Sequence, residues 1–204
     1  MSSWIRIKGE FLWRITVEKV SASAYASLLI AFVTYLLEEG RTPEEINAIL
    51  KKSGYVVAER LIMEYMNKQP FPSNIKEFAR TTSLWTKMFI GKDFDKIVVD
   101  VQDEGKKVLV HMSIKDNPLT KNIEAPNPNL RLDSILAGIF EAAARMGIDY
   151  MEETKLGAKK ISCEEIKCVS AGDDVCEFIL EFELEEEGAK KVIEKLKIGK
   201  NIIR

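Results

Sequence analysis

The sequence predicts an α+β fold: a single domain with four N-terminal helices, a four-stranded antiparallel sheet and helices packed against it. Apolar residues recur every three to four positions as far as Gly91, which is helical spacing, and at every second position in several later segments, which is strand spacing. Turn residues at Asp103–Gly105 and around Gly172 each separate two alternating segments, as in β-hairpins. No glycine-rich linker interrupts the chain. We therefore expect one domain over residues 1–204, with 1–20 as an N-terminal arm or strand.

The predicted N-terminal helices follow from apolar spacing and from residues that start or stop helices. Ser21–Glu39 is apolar over more than half of its circumference, which suits a central core helix or one that also faces a partner. Thr42 and Glu45 form a capping box at the start of a second helix, which we expect Gly54 to end. The third and fourth helices are expected at Tyr55–Lys68 and at 75–91.

The second half of the chain predicts two hairpins and two helices. The first hairpin turns at Asp103–Gly105, and a polar, proline-rich connection follows at Asp116–Asn129. The next helix is rich in small residues, including Gly138 and Ala142, so we expect another element to pack closely against it. A cysteine-containing hairpin follows, and a charged helix at Glu185–Leu196 closes the predicted order.

The composition excludes several classes of protein. The 30 basic and 32 acidic side chains nearly cancel, so there is no basic field to hold nucleic acid. Three cysteines do not make a secreted disulfide framework. The most apolar stretch, Ala24–Leu37, is shorter than the roughly 20 residues that a membrane helix needs, and the N-terminus lacks a signal core. We expect a cytoplasmic protein without a transmembrane segment, free or at the periphery of a membrane.

The cysteines of the second hairpin are predicted to face the core. Cys176 begins a strand in which apolar residues alternate with glutamates, and it falls on the apolar side. A bulge at Glu164–Glu165 would bring the apolar residues and cysteines of the partner strand onto one face. If the glycine between the strands centres the turn, Cys168 lies opposite Cys176 and Ile166 opposite Phe178.

Three interpretations of these cysteines stay open. Buried free thiols act as small apolar side chains, and a cross-strand disulfide is geometrically feasible but disfavoured in a reducing compartment. The third is zinc on Glu165, Cys168 and Cys176. Structural zinc takes four ligands, and the fourth is missing unless Cys163 contributes. We expect no cofactor, with zinc as the alternative.

No pattern in the sequence indicates catalysis. His111 is the only histidine and lies in mid-strand, whereas nucleophilic catalysis needs a nucleophile, a base and an orienting group together. The glycines stand singly, without a phosphate-binding or dinucleotide-binding spacing. We expect a protein that is not an enzyme.

Several segments resemble known families. "SGYVVAERLI", "IKEFARTTSLWTKMFIG", "IKDNPLTKNIEAP" and "SILAGIFEAAARMG" are similar, in this order, to motifs of the core subunits of the TRAPP vesicle-tethering complex. "EEIKCVSAGDDVCEFIL" resembles the end of 4-vinyl reductase domains in archaeal and bacterial small-molecule sensors. The resemblance covers roughly Ser21–Glu183, and the mixed signature suggests an archaeal or bacterial source.

The resemblance implies a dimer through the early helices and a buried apolar pocket. In the tethering subunits a cysteine in this pocket is acylated, but here Ile75 stands at that position, so a lipid would be held without a covalent bond. In some sensor relatives the Glu-x-x-Cys…Cys motif binds zinc together with a cysteine of the preceding helix. In this chain the corresponding helix has alanine at positions 142–144, so that ligand is missing. The implied pocket residues are Ile75, Phe78, Leu84, Met88, Ile135 and Gly138.

We therefore expect a non-enzymatic, TRAPP-like scaffold or tethering subunit that acts through protein–protein contacts. Its partners would be a second copy or related subunits, with a small GTPase as a further partner and a lipid or apolar small molecule in the pocket. The alternative is a small-molecule-binding sensor domain of the 4-vinyl reductase type. The expected dimer interface comprises Leu28, Phe32, Tyr35, Leu36, Ile46, Ile49 and Leu50.

Overall fold

The computed structural model confirms the α+β class. It describes residues 22–66, 86–87, 90–120, 122–150 and 157–198. The predicted arm at 1–20 and most of the predicted fourth helix lie outside these residues, although residues 86, 87 and 90 are helical. The described helices are α1 (Ala22–Glu38), α2 (Pro43–Met66), α3 (Ser134–Tyr150) and α4 (Glu186–Ile198). The strands are β1 (Lys96–Gln102), β2 (Lys107–Ile114), β3 (Ala158–Lys167) and β4 (Cys176–Leu184).

Helix α2 begins at the predicted cap and then continues where we expected it to stop. The Glu45 amide donates to Thr42 Oγ1 at 3.2 Å, and the Thr42 amide donates to Glu45 Oε2 at 3.0 Å, so the capping box is confirmed. The predicted break at Gly54 is wrong, because the helix runs through it to Met66. A glycine inside a helix usually has a packing reason, and here that reason is α3.

Helices α2 and α3 cross with their backbones in contact. A Cβ atom on Gly54 would lie 1.8 Å from the Ile135 carbonyl oxygen, and one on Gly138 would lie 1.9 Å from the Lys51 carbonyl oxygen. Real Cβ atoms do not approach so closely, so each position requires glycine at this crossing. The close neighbour that the small residues of α3 predict is therefore α2.

The sheet has the strand order β1-β2-β4-β3, and all neighbouring strands are antiparallel. Each predicted hairpin forms, and β2 and β4 pair at the centre, with Ile114 opposite Cys176. Gly172 closes the second hairpin with φ of 102°, a backbone conformation that glycine adopts without steric cost. Helix α3 lies on the apolar face of the sheet, and Phe140 contacts Phe178 edge-to-face at 5.2 Å between ring centroids.

The bulge in β3 lies one residue later than we predicted. After a first register shift between Ala158 and Lys160, pairing is regular from Lys160 to Glu165, which lies opposite Phe178, and the register shifts again between Glu165 and Lys167. Ile166 is consequently exposed rather than opposite Phe178, and the Glu165 side chain takes the inward position. Cys168, just beyond the end of β3, is again buried. The shift thus exchanges an apolar residue for a carboxylate inside the molecule.

Two apolar clusters matter for the site. The sheet core joins α3 to the apolar face of the sheet through residues such as Leu136, Phe140 and Phe178. The connection core, between α1, α2 and the segment that joins β2 to α3, comprises Leu29, Val33, Ile46, Leu50, Leu130 and Leu132. None of the helices within the described ranges is both long and apolar enough to cross a membrane.

Candidate functional site

Four buried side chains with metal-binding atoms meet at the start of the second hairpin. Glu165 and Cys168 come from the end of β3 and the turn, Cys176 begins β4, and Asp133 immediately precedes α3. One donor atom from each lies within 4.8 Å of the others, and no side chain of the four is more than 4% exposed. We call these four residues the thiol–carboxylate cluster.

Hydrogen bonds to Asp133 organise one side of the cluster. Its Oδ2 atom accepts from Asn117 Nδ2 at 2.8 Å, from Thr120 Oγ1 at 2.7 Å and from Cys176 Sγ at 2.9 Å. Asn117 and Thr120 are themselves fully buried. Buried polar groups are normally paired in this way, so this half of the cluster is satisfied without a ligand.

The other half has an unsatisfied atom. Glu165 Oε2 accepts a hydrogen bond from Ser134 Oγ at 3.3 Å, but Glu165 Oε1 is buried and has no partner within the part of the chain that the structure describes. Leaving a buried polar oxygen unpaired costs about 1–3 kcal/mol, and more if it is charged. A cation at this position would remove that cost.

The electrostatics of the cluster follow from burial and from proximity of acidic groups. Burial raises the pKa of Asp133 to about 7 and raises the pKa of Glu165 well above its usual range. Interaction with the neighbouring Cys176 thiol lowers the pKa of Cys168 to about 5, and the same interaction raises the pKa of Cys176. Cys168 is therefore the thiol that ionises first, and thiolates are the sulfur ligands that zinc binds.

The donor set fits a structural zinc ion. Zinc in proteins is bound tetrahedrally by thiolate, imidazole and carboxylate groups, with donor atoms about 3.3–3.8 Å apart. Two thiols and two carboxylates within 4.8 Å need only a small contraction to reach that spacing. A bound cation would also offset the repulsion between two buried carboxylates.

Sequence reasoning found three of the four residues and missed Asp133. It sought the fourth ligand in Cys163 or in the helix at Ala142–Ala144. Cys163 lies elsewhere, since its backbone amide donates to Glu141 Oε2 at 3.0 Å and burial raises the pKa of its thiol. Asp133 precedes the first residue of α3, where aspartate is an ordinary N-cap residue, so nothing local in the sequence marks it as a ligand.

The predicted interface residues divide into two groups. Leu28, Phe32 and Tyr35 lie on one face of α1 and are 70%, 42% and 55% exposed. Ile46 and Leu50 are buried within the chain itself, in the connection core, so their assignment to a partner-facing surface is wrong. Leu36 is partly buried against the same core, and Ile49 is half-buried.

The C-terminal half of α2 adds exposed apolar side chains that sequence reasoning did not assign to an interface. Contiguous apolar exposure often marks a protein–protein contact, whereas scattered single residues do not. In α2 these residues are Val56, Val57, Leu61 and Met63, and they lie on two sides of the helix. We call the exposed residues on one face of α1, Leu28, Phe32 and Tyr35, the outer helix face.

The predicted apolar pocket falls largely outside the described residues. Ile75, Phe78, Leu84 and Met88 are not among them. Ile135 packs against the sheet core, and Gly138 contacts the backbone of α2, so the assignment of Gly138 to a cavity wall is wrong.

A separate groove of about 460 Å³ lies between α2, α3 and β3, and several charged side chains line it. Within it, Lys51 Nζ lies 3.1 Å from Glu141 Oε2 and 2.6 Å from Glu164 Oε1. Lys51 is thus already paired with two carboxylates of the groove.

His111 has the packed position expected for a structural residue. It lies in β2 opposite Ile179, and its Nδ1 atom is 3.7 Å from Glu177 Oε1. It belongs neither to the thiol–carboxylate cluster nor to the outer helix face.

The chain is an α+β domain with a four-stranded antiparallel sheet covered by α3. Its early helices expose apolar side chains. Residues 25–155 match the family of transport protein particle (TRAPP) components, and the chain belongs to that family. It is 27% identical over 168 residues to trafficking protein particle complex subunit 3 of Dictyostelium discoideum, covering 79% of this chain and 82% of the relative.

Two solved structures confirm the fold. Trafficking protein particle complex subunit 3 of Naegleria fowleri, covalently bound to palmitic acid, matches with a TM-score of 0.60 and 26% identity, covering 83% of this chain and 100% of the other. The phenol-responsive sensory domain of the transcription activator PoxR has a TM-score of 0.54 and 12% identity, covering 95% and 98%. A vinyl-4-reductase family protein of Methanocaldococcus jannaschii also matches, with a TM-score of 0.41 and 17% identity, covering 89% and 96%.

Proposed function

We propose that this protein is a non-enzymatic scaffold subunit of a TRAPP-like tethering complex, which works by pairing with a second copy or with a related subunit. Membership of the TRAPP component family supports this proposal. The observation that carries it is the outer helix face, where Leu28, Phe32 and Tyr35 of α1 project from a helix whose other side is already buried. We place the protein in the cytoplasm or at the periphery of a membrane.

The outer helix face suits a helical partner of the same kind. Its side chains are apolar and aromatic, and aromatic residues are enriched in protein interfaces. A surface that carries no strong charge can also meet its own copy without repulsion. A homodimer is therefore the arrangement we test first, and a heterodimer with a related subunit is the second.

The test is sedimentation of the wild-type chain beside the variant Phe32→Glu. We expect a concentration-dependent dimer for the wild type and at least a tenfold weaker association for the variant, because a carboxylate would have to be desolvated at the interface. Val98→Glu is the matched control, since Val98 is 38% exposed in β1, away from the helices.

Association lost equally in Phe32→Glu and Val98→Glu would contradict the proposed face. A wild-type chain that stays monomeric alone but binds related subunits or a small GTPase in reconstitution would support the heteromeric arrangement. A monomer that binds none of them would overturn the proposal.

The proposal includes an apolar ligand held without a covalent bond. The palmitate in the Naegleria relative supports an acyl chain as ligand class, and Ile75 cannot form a thioester. We expect native mass spectrometry to show a lipid mass that organic solvent extracts completely. A mass that survives extraction, or a chain that never retains lipid, would contradict this.

We also propose that the thiol–carboxylate cluster binds one zinc ion through Asp133, Glu165, Cys168 and Cys176. The unpaired Glu165 Oε1 is the specific observation that favours this site. Zinc titration into the metal-free protein should give a stoichiometry of one, and Cys168→Ala should lower affinity at least 100-fold, whereas Cys163→Ala should not. Equal effects of the two variants would place the zinc elsewhere.

A further inference from the structure

We propose that metal occupancy of the thiol–carboxylate cluster controls how firmly α1 is held against the rest of the chain, and so controls the presentation of the outer helix face. The inference rests on the zinc site proposed above and concerns its regulation. It is carried by the segment between β2 and α3, residues 115–133, which touches the cluster near both of its ends and touches α1 between them. We call this segment the connection.

The two ends of the connection meet at a single oxygen atom. Asn117 and Thr120, near its start, both donate to Oδ2 of Asp133, its last residue. Thr120 Oγ1 also lies 3.9 Å from Cys176 Sγ. The loop is therefore closed by the carboxylate of a proposed zinc ligand, so anything that fixes this carboxylate also fixes the closure.

Residues of the connection between Thr120 and Asp133 form part of the surface against which α1 packs. Leu130 and Leu132 are fully buried against Leu29 and Val33 of α1, and Ile123 and Ala125 pack against the same cluster. If the connection opens, α1 loses part of the apolar cluster that buries its inner side, and Ile46 and Leu50 of α2 remain.

Polar contacts tie the connection to its other neighbours. The Ala125 amide donates to the Ser170 carbonyl oxygen at 2.8 Å, which links the connection to the turn that bears Cys168. Arg131 Nη1 donates to the Glu165 carbonyl oxygen. Asn47 of α2 donates to the Asn129 carbonyl oxygen and accepts from the Arg131 amide, both at 3.0 Å. The connection thus has contacts with the hairpin and α2 as well as with α1.

A metal ion would join the end of the connection to both strands of the hairpin. Asp133 belongs to the connection, Glu165 and Cys168 to the β3 side and Cys176 to β4. A ligand that binds only the closed form lowers the population of the open form by a factor of one plus the free ligand concentration divided by Kd, about 100-fold at a free concentration of 100 times its Kd. We therefore expect zinc to slow the opening of the connection and, with it, the release of α1.

The experiment is hydrogen–deuterium exchange of the full chain in zinc-buffered solution and in chelator. We expect zinc to slow exchange at least tenfold in 22–38 and 117–132, with a smaller change in β1, the edge strand away from the cluster. Sedimentation under the same two conditions should show tighter association with zinc. The exchange measurement does not require a dimer, so it tests the effect of zinc on α1 even if the chain is a monomer in the absence of other subunits.

The variants separate this inference from the proposed site. Asp133→Asn should abolish the effect of zinc on hydrogen exchange in α1. If Asp133→Asn does not fold, Cys168→Ala replaces it in this test. Asp116→Asn, at an exposed position of the connection, is the control. Zinc bound at one equivalent with unchanged exchange in α1 would overturn the inference and leave the site standing. No zinc bound would remove the site and the inference together, and protection by zinc that persists in Cys168→Ala would overturn the inference.

Discussion

Glu165 combines a buried position with an incomplete set of hydrogen bonds. Regular alternation from Ile161 and Cys163 turns its side chain inward, opposite Phe178, while its neighbour Glu164 stays at the surface and pairs with Lys51. Only one of its carboxylate oxygens has a partner within the described residues. Such a residue weakens the fold unless a ligand compensates, so its substitution should have opposite effects with and without metal.

The first prediction is that Glu165→Gln stabilises the metal-free protein. At a pH above the raised pKa of Glu165, removing its uncompensated buried charge should raise the free energy of unfolding by about 1–3 kcal/mol. Urea denaturation in chelator measures this change. Glu164→Gln is the control, because its side chain is 66% exposed and an exposed ion pair contributes less than about 1 kcal/mol. A metal-free Glu165→Gln protein that is less stable than wild type would show that the carboxylate is compensated within the chain.

Asp133 and Glu165 also show where sequence reasoning reaches its limit in the site. The alternation of apolar residues and glutamates in β4 correctly predicted that Cys176 is buried. A bulge in β3 was predicted because its apolar residues fall on alternate positions before Glu164 and on the opposite set of positions after Glu165. The position of the bulge depends on how the turn closes, and a shift of one residue inverted the expected sides of Glu165 and Ile166. Asp133 joins the cluster through tertiary contacts alone.

Two glycines set the closest approach of α2 and α3, and next to it side chains such as Ala58 and Ala142 pack together. Backbone atoms of one helix occupy the space above Gly54 and Gly138 where a Cβ would lie. Sequence reasoning predicted a close neighbour for α3 from its small residues but took Gly54 as a helix end, because a lone glycine gives the same local signal in both cases.

The second prediction is that Gly54→Ala destabilises the protein although alanine favours helix. The added methyl group would force the helices apart, at a cost of about 2–4 kcal/mol, which exceeds the gain of about 1 kcal/mol in helix propensity. Thermal or urea unfolding checks this. Ser53→Ala is the matched control, since Ser53 is exposed in the same helix turn and should change stability by less than about 0.5 kcal/mol. An equally stable Gly54→Ala protein would contradict the close approach.

Two of the apolar clusters within the described residues differ in character. The sheet core lies between α3 and the sheet, whereas the connection core holds α1 partly through α2 and partly through a segment outside the helices and strands. Elements whose burial depends on irregular segments tend to open in smaller units than the whole fold. The composition and the order of elements were enough to predict the α+β class, but not this division, which depends on where the connection crosses α1.

The third prediction is that Leu132→Ala loosens α1 more than it loosens the sheet. Leu132 is fully buried in the connection core, and a buried Leu→Ala change costs about 2–5 kcal/mol. Hydrogen exchange should therefore accelerate in α1 while β4 keeps most of its protection. Ile114→Ala, which removes a buried side chain of the sheet core, should accelerate exchange in β4 as well. Equal acceleration of α1 and β4 in Leu132→Ala would show that the two clusters unfold as one.

The paired glycines of α2 and α3 have a mechanical consequence. Carbonyl oxygens of each helix occupy the positions that Cβ atoms would take on the glycines of the other helix. Neither helix can therefore slide along the other without a steric clash. A displacement imposed on α2 from outside is therefore transmitted to α3 with little loss. A spectroscopic label on Val56 would accordingly report movements at the sheet as faithfully as movements at the surface that bears it.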